Sequence, residues 1–221
     1  MKRIDEPMER LAALAEEVDA EFAAIQERQA AQMQCRAGCS ACCRSRLSIT
    51  RVEEAFLRRG LASFSNERRA ELSARTREEN REMCPALDDD GRCGVYLFRP
   101  LICRTYGVPL RHRRAVALVN PPVIDVCDLN FTETSLETLP SGDVFDQTAL
   151  DEALEAIDRD HCADHDLPRG HRVPIAHILE QADRGGRQPV DSTSPDSVAS
   201  GASGSTSERS KASVRRRRNS P

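Results

Sequence analysis

Four of the nine cysteines lie within nine residues of one another, at Cys35, Cys39, Cys42 and Cys43. Spacings of two or three residues let one loop direct several thiolates at a single metal, because little chain has to be ordered between them. Gly38 gives this loop additional backbone freedom. The adjacent pair Cys42-Cys43 leaves two alternatives: both thiols bind one compact centre through a strained loop, or each serves a neighbouring metal.

A second set of four cysteines follows at longer spacing, at Cys84, Cys93, Cys103 and Cys127. Residues 84–108 are dense in Gly, Pro and Cys and show no hydrophobic period, so we expect this segment to need metal binding for its order. Eight thiolates suit two tetrahedral zinc sites, one iron–sulfur cluster with supporting thiols, or two such clusters. Buried apolar cysteines or a disulfide network explain this clustering less well.

Several other groups bear on this cysteine set. Arginine charges beside the thiols favour the thiolate form and can donate hydrogen bonds to sulfur. The arginines concerned are Arg36, Arg44, Arg99 and Arg104. Cys162 stands apart from the eight, after a predicted helix, in the sequence His161-Cys162-Ala163-Asp164-His165. That spacing would allow ligation, but we expect Cys162 to be a partly exposed spare thiol.

Composition and charge exclude several classes of protein. The longest apolar runs, such as Ala115 to Val119, are far shorter than the ~20 residues of a membrane span, and the first residues lack the apolar stretch of a secretory signal. We therefore expect a cytoplasmic protein.

Residues 185–221 contain seven Lys/Arg, three Asp/Glu and ten Ser, whereas the rest has 25 basic and 33 acidic residues. The tail is predicted to be disordered, with Arg215 to Arg218 as a solvated basic run, and the acidic body argues against nucleic acid.

Hydrophobic spacing predicts a long amphipathic helix from Asp5 to Gln34. Its apolar residues recur at steps of three and four, at Leu11, Leu14, Val18, Phe22 and Ile25. Such a stripe packs on the chain's own cysteine domain, or alternatively pairs with a protein partner or a second copy.

Local signals place the remaining elements. Thr50 and Glu53 form a capping box that starts a short helix. We expect this helix to end at Gly60, because glycine readily adopts the left-handed conformation found at helix C-termini. Ser65 or Asn66 caps a mostly exposed helix that runs to Met83. Further elements are predicted as a hairpin at 108–119 closed by Pro121-Pro122, a helix in 143–161 with Phe145, Leu150, Leu154 and Ile157 on one face, and a short helix at 174–182.

These elements together predict a mainly α protein with a small β hairpin. We expect a compact, Cys-rich, metal-stabilised single domain followed by a disordered C-terminal tail. The predicted organisation is an N-terminal amphipathic helix at 1–34, a cysteine-cluster domain at 35–130, a helical extension at 131–184 and the tail at 185–221.

The order of the motifs resembles the YkgJ-like cysteine-cluster family, whose zinc- or iron-chelating domain is called CxxCxxCC. The resemblance lies in C-x3-C-x2-CC at 35–43, CP-x-L at 84–87 and GRC-x-VY-x-x-RP-x-x-CR-x-Y at 91–106. It covers about residues 35–107 and extends loosely to Cys127. The resemblance implies a chelated zinc or iron, the iron as an iron–sulfur cluster, which we favour slightly.

Function is predicted at the level of metal binding. All eight cysteines of the two sets are candidate ligands, and a closed thiolate site is typical of a structural or storage centre without activity of its own. The alternative is an iron–sulfur redox or S-adenosylmethionine-dependent modification enzyme, or an accessory subunit, because Cys35-x3-Cys39-x2-Cys42 has the spacing of a radical S-adenosylmethionine loop. The absence of repeated strand–helix units argues against the S-adenosylmethionine-dependent form and leaves a redox role as the better form of that alternative. The expected partners are a metal ion and an unidentified protein.

Overall fold

The computed structural model describes residues 6–78, 82–112 and 123–184. The predicted tail at 185–221, with Arg215 to Arg218, lies outside the described residues. Within the described ranges, helices dominate and the strands are short, which confirms a mainly α fold with a small amount of sheet. The α-helices are α1 Glu6–Arg28, α2 Arg51–Ala62, α3 Asn66–Arg75, α4 Leu101–Thr105, α5 Gln147–Asp164 and α6 Ile175–Glu180. Short 3₁₀ helices lie at Ala30–Gln32, Ala41–Arg44, Tyr96–Phe98, Leu136–Thr138, Ser141–Asp143 and Ala182–Arg184.

The long helix α1 buries its predicted stripe inside the molecule. Leu11, Val18 and Ile25 are fully buried, and Leu14 and Phe22 pack against the same core. The helix contacts α2, α4 and α5. It ends at Arg28, short of the predicted Gln34, because the chain tightens into the following 3₁₀ turn. This stripe is therefore covered by the chain itself.

The start of α2 is the predicted capping box. The Thr50 hydroxyl accepts from the N–H of Glu53, and the Glu53 carboxylate accepts from the N–H of Thr50. The predicted stop at Gly60 is wrong, because α2 continues to Ala62. Gly60 instead leaves room for an aromatic ring: a Cβ there would lie 2.1 Å from the ring of Phe98.

Helix α3 is capped as expected but is shorter than predicted. The Ser65 hydroxyl accepts from the N–H of Arg68 at 3.2 Å. The helix ends at Arg75, well before Met83, and only Leu72 and Ser73 along it are buried. Its remaining side chains are free to form ion pairs with neighbouring segments.

Two small sheets join distant parts of the chain. The strands are β1 Ser48–Ile49, β2 Leu110–His112, β3 Val123–Asp125, β4 Phe145–Asp146 and β5 Val173–Pro174. β1 pairs antiparallel with β5, while β2 lies between antiparallel β3 and parallel β4. The first strand of the predicted hairpin is present as β2, but its partner β3 follows Pro121-Pro122 in the sequence. The predicted second strand, at Ala115 to Val119, lies outside the described residues. Residues 113–122 lie outside the described part of the chain.

The C-terminal helices largely follow the sequence prediction. Helix α5 begins after Asp146, whose side chain accepts from the N–H of Ala149 at 3.1 Å. Phe145, which we expected on the face of this helix, instead belongs to β4, because its N–H donates to the carbonyl of Pro109. Helix α6 lies within the range predicted for it.

Two apolar cores support the described residues, which belong to one compact unit. The first core lies among α1, α5 and β2, and the second lies among α2, α3 and α6. Helix α2 contributes Val52 to the first and Leu57 to the second. Cys35 packs against the first core, whereas Cys84 and Cys93 pack against the second. The cysteines are thus attached to both cores. Among the described helices, none combines the length and apolarity needed to cross a membrane.

Candidate metal centre

The first cysteine set lies on a tight loop and one 3₁₀ turn. The N–H of Cys39 donates to the carbonyl of Arg36 at 2.9 Å, and Gly38 adopts a positive φ of 87° that closes this turn. The following turn bonds the N–H of Cys43 to the carbonyl of Ser40 at 2.9 Å. Local hydrogen bonding therefore brings the closely spaced cysteines to one side of the molecule.

The adjacent thiols of Cys42 and Cys43 interact directly. Their hydrogen bond lowers the pKa of Cys42 to about 6 and raises the pKa of Cys43. The nearby Arg99 charge also lowers the pKa of Cys42. The hydrogen bond therefore favours the thiolate form at Cys42 over that at Cys43.

A second loop carries Cys84 and Cys93. The N–H of Cys84 donates to the carbonyl of Cys43 at 2.7 Å, and Leu87 forms a β-bridge with Cys93. Desolvation at Asp88 is outweighed by hydrogen bonds from Arg68 and Arg75 of α3, which lower its pKa. These contacts help to position the Gly/Pro-rich segment, and its dependence on metal stays a prediction.

Cys103 lies on α4, beside the second loop. Burial raises the pKa of Cys103, and the charges of Cys42 and Cys84 raise it further. The backbone N–H that begins α4, at Leu101, donates to the carboxylate of Glu53 at 3.0 Å. This bond fixes the helix that carries Cys103 against the start of α2.

Cys127 follows the hairpin strand β3 and returns to the first cysteine set. The N–H of Asn130 donates to the carbonyl of Cys127 at 2.8 Å. The Asn130 side chain, in a residue only 2 % exposed, donates to Cys35 Sγ at 3.3 Å and to the Gly107 carbonyl at 2.7 Å. Gly107 has a positive φ of 124°, and a Cβ there would lie 2.6 Å from Cys35 Sγ. A sulfur atom thus sits directly against a glycine backbone.

All eight predicted thiols line one cavity of about 860 Å³. They are Cys35, Cys39, Cys42, Cys43, Cys84, Cys93, Cys103 and Cys127. The lining also contains Arg36, Arg46, Arg92 and Arg99, and none of its described residues is Asp, Glu or His. The only side chains of the usual zinc and iron ligand types around this space are therefore thiols.

This donor set fits a thiolate-bound metal, since zinc and iron–sulfur centres both accept all-cysteine ligation. Among the described residues, no three His, Cys, Asp or Glu side chains are grouped closely enough to hold a metal ion. Ligation therefore requires the thiols to turn inward across the cavity. Their assignment as ligands remains a prediction.

Two of the arginines expected beside sulfur have other contacts. Arg99 and Arg104 both form ion pairs with Asp19 of α1, and Arg104 also donates to the carbonyls of Leu97 and Arg99, each at 3.0 Å. Arg99 in addition lies over the ring of Tyr96, 4.2 Å from its centroid. Their main role is thus to join the cysteine segment to α1.

Cys162 is separate from the cavity. It is 1 % exposed on α5, so the prediction of a partly exposed thiol is wrong. Its sulfur lies 3.9 Å from Asp158 Oδ2 and 3.8 Å from the carbonyl of Pro168. Cys162 therefore packs in the interior, between α5 and the segment that follows this helix.

Sequence reasoning missed four residues that position the thiols: Asp19, Glu53, Gly107 and Asn130. Glu53 was recognised only as the cap of α2. Asn130 lies three residues after Cys127, which is the only local signal for it, and its other contacts come from distant segments.

Residues 34–118 match the model of the CxxCxxCC family, described as a "Putative zinc- or iron-chelating domain". The match confirms the resemblance noted in the sequence. It includes seven of the eight cavity cysteines, and Cys127 lies beyond its end. No curated protein and no solved structure gave a significant match to the chain.

Proposed function

We propose that this protein chelates zinc or iron through its eight cavity cysteines, and the match of residues 34–118 to the CxxCxxCC family model supports the proposal. The observation that carries this proposal is the lining of the cavity, where eight thiols meet without a carboxylate or an imidazole. Thiolate ligands favour zinc and iron–sulfur clusters over hard cations such as magnesium or calcium.

The centre is structural or serves as a store. Catalytic zinc normally keeps a ligand position for water, and its sites usually include histidine or carboxylate ligands. The described cavity offers neither residue type. Metal binding would also stabilise the fold, because its thiols come from segments that pack on both apolar cores.

An iron–sulfur cluster is the form we favour. The cavity of about 860 Å³ has room for the sulfides of a cluster in addition to the metal. The four arginines that line it supply positive charge beside the thiolates, which stabilises a centre with excess negative charge. Zinc bound by the same thiolates is the other form of this proposal.

The test is anaerobic purification of the full chain, followed by elemental analysis, sulfide analysis and an absorption spectrum of the same sample. Iron with acid-labile sulfide and a brown colour would support a cluster. Colourless protein with stoichiometric zinc would support a zinc site. Protein with neither metal, which also fails to take up zinc or iron with sulfide, would overturn the proposal.

A further inference from the structure

Five of the cavity cysteines are attached to the fold in two groups that do not follow chain order. Asn130 joins the first group. Its side chain donates to Cys35 Sγ at 3.3 Å, its backbone N–H donates to the carbonyl of Cys127 at 2.8 Å, and its Oδ1 accepts from the N–H of Gln34 at 2.7 Å. One buried residue, Asn130, therefore contacts Cys35 through its side chain and Cys127 through its backbone.

The second group is joined by backbone contacts. The N–H of Cys84 donates to the carbonyl of Cys43 at 2.7 Å. Cys93 returns to the same loop through its β-bridge with Leu87, whose N–H donates to the carbonyl of Cys84 at 3.0 Å. Cys43 is thus fixed to the second loop, although it lies beside Cys42 in the sequence.

Packing divides the thiols in the same way. Cys35 packs against the first core, among residues of α1 and α5, whereas Cys84 and Cys93 pack against the second. This division by packing agrees with the division by hydrogen bonds.

We propose that the chain holds two thiolate centres that interleave the two halves of the cysteine pattern, with Asn130 as a positioning residue of the first. The first centre includes Cys35 and Cys127, and the second includes Cys43, Cys84 and Cys93. This inference rests on the proposed function.

The test compares two double variants of the full chain. The first combines Cys35→Ser with Cys127→Ser, and the second combines Cys93→Ser with Cys127→Ser. Each is loaded anaerobically with Zn²⁺, or with Fe²⁺ and sulfide if the isolated wild type contains iron. Native mass spectrometry then counts the centres per chain. The first variant should keep one of two centres, because both changes fall in the same centre. The second should keep none.

The matched control is Cys162→Ser, which should keep both centres. In a chain-order arrangement, the first four cysteines would form one centre and the last four the other. The result would then reverse: the double variant with Cys93→Ser would keep one centre, and the double variant with Cys35→Ser would keep none. That reversal, or a wild-type chain with a single centre, would overturn the division while leaving metal binding intact. A wild-type chain that binds no metal would instead overturn the proposed function.

A second measurement on the wild-type chain avoids any effect of substitution on folding. The loaded chain is treated with increasing chelator, and released thiols are trapped with N-ethylmaleimide and identified by peptide mass spectrometry. Cys127 should become labelled in the same step as Cys35 and in a different step from Cys93. Release of Cys127 together with Cys93 would contradict the division.

Discussion

The carboxylate of Glu53 accepts a hydrogen bond at 3.0 Å from the backbone N–H of Leu101, the first residue of α4. The same carboxylate accepts from the N–H and the hydroxyl of Thr50, at 3.0 and 2.9 Å, at the start of α2. One buried acidic side chain thus caps two helices that lie far apart in the sequence. Because α4 carries Cys103, this contact links a local capping motif to the metal cavity.

Glu53→Ala should lower the free energy of unfolding by about 2–3 kcal/mol, since it removes a helix cap and leaves the buried N–H of Leu101 without its acceptor. Urea denaturation measures the change, and the thiol of Cys103 should react faster with a maleimide. The control is Glu67→Ala, which removes an exposed acidic residue from the first turn of α3 and should lower the midpoint much less. Equal midpoints for the two variants would contradict this role of Glu53.

Gly107→Ala should displace the sulfur of Cys35. The new Cβ would lie 2.6 Å from that sulfur, and the positive φ of 124° is unfavourable for alanine. Strain of this kind costs about 1–3 kcal/mol, so the variant should unfold at a lower urea concentration and bind less metal.

Gly142→Ala provides the comparison for Gly107→Ala. Nothing lies within 4 Å of a Cβ at Gly142 and its φ is not positive, so neither stability nor metal content should fall. If both alanine variants behave alike, the close approach of Cys35 to Gly107 does not constrain the site.

The sequence predicted those features that depend on local spacing. The capping box of Thr50 and Glu53 was identified from two residues three positions apart. The stripe along α1 was identified from apolar residues that recur every three or four positions. The contacts of Asn130 were not predictable, because Gln34, Cys35 and Gly107 lie far from it in the sequence. The same reason explains the misplacement of Phe145, whose strand forms only by pairing with β2.

The loop of Asp143 provides a prediction of pH dependence away from the cavity. Hydrogen bonds from Arg28 at 2.6 Å and Gln29 at 2.7 Å lower the pKa of Asp143, whose side chain is 7 % exposed. Since the folded-state pKa is depressed, its contribution is complete above the ordinary carboxyl value of about 3.9 and is lost as the pH falls through the lower folded value.

Asp143→Asn should therefore reduce the free energy of unfolding by about 1 kcal/mol at pH 7, a value that allows for the half-exposed Arg28. The difference from wild type should shrink as the pH falls below the ordinary carboxyl value, and comparison at each pH cancels the titration of other groups. Asp160→Asn removes a similar ion pair with Arg10 in which both side chains are exposed, and should change stability less. A larger loss for Asp143→Asn at pH 3 than at pH 7 would refute the assignment.

Cys103→Ala and Cys162→Ala separate a metal ligand from a buried packing residue. Both changes remove a largely buried sulfur, so both should destabilise the chain through lost packing, by about 1–2 kcal/mol. Only Cys103→Ala should also lower metal content, because ligation contributes folding free energy that the variant cannot recover. A chelator should then destabilise the wild type and Cys162→Ala strongly, and Cys103→Ala less. Full metal retention by Cys103→Ala would show that this thiol is not a ligand.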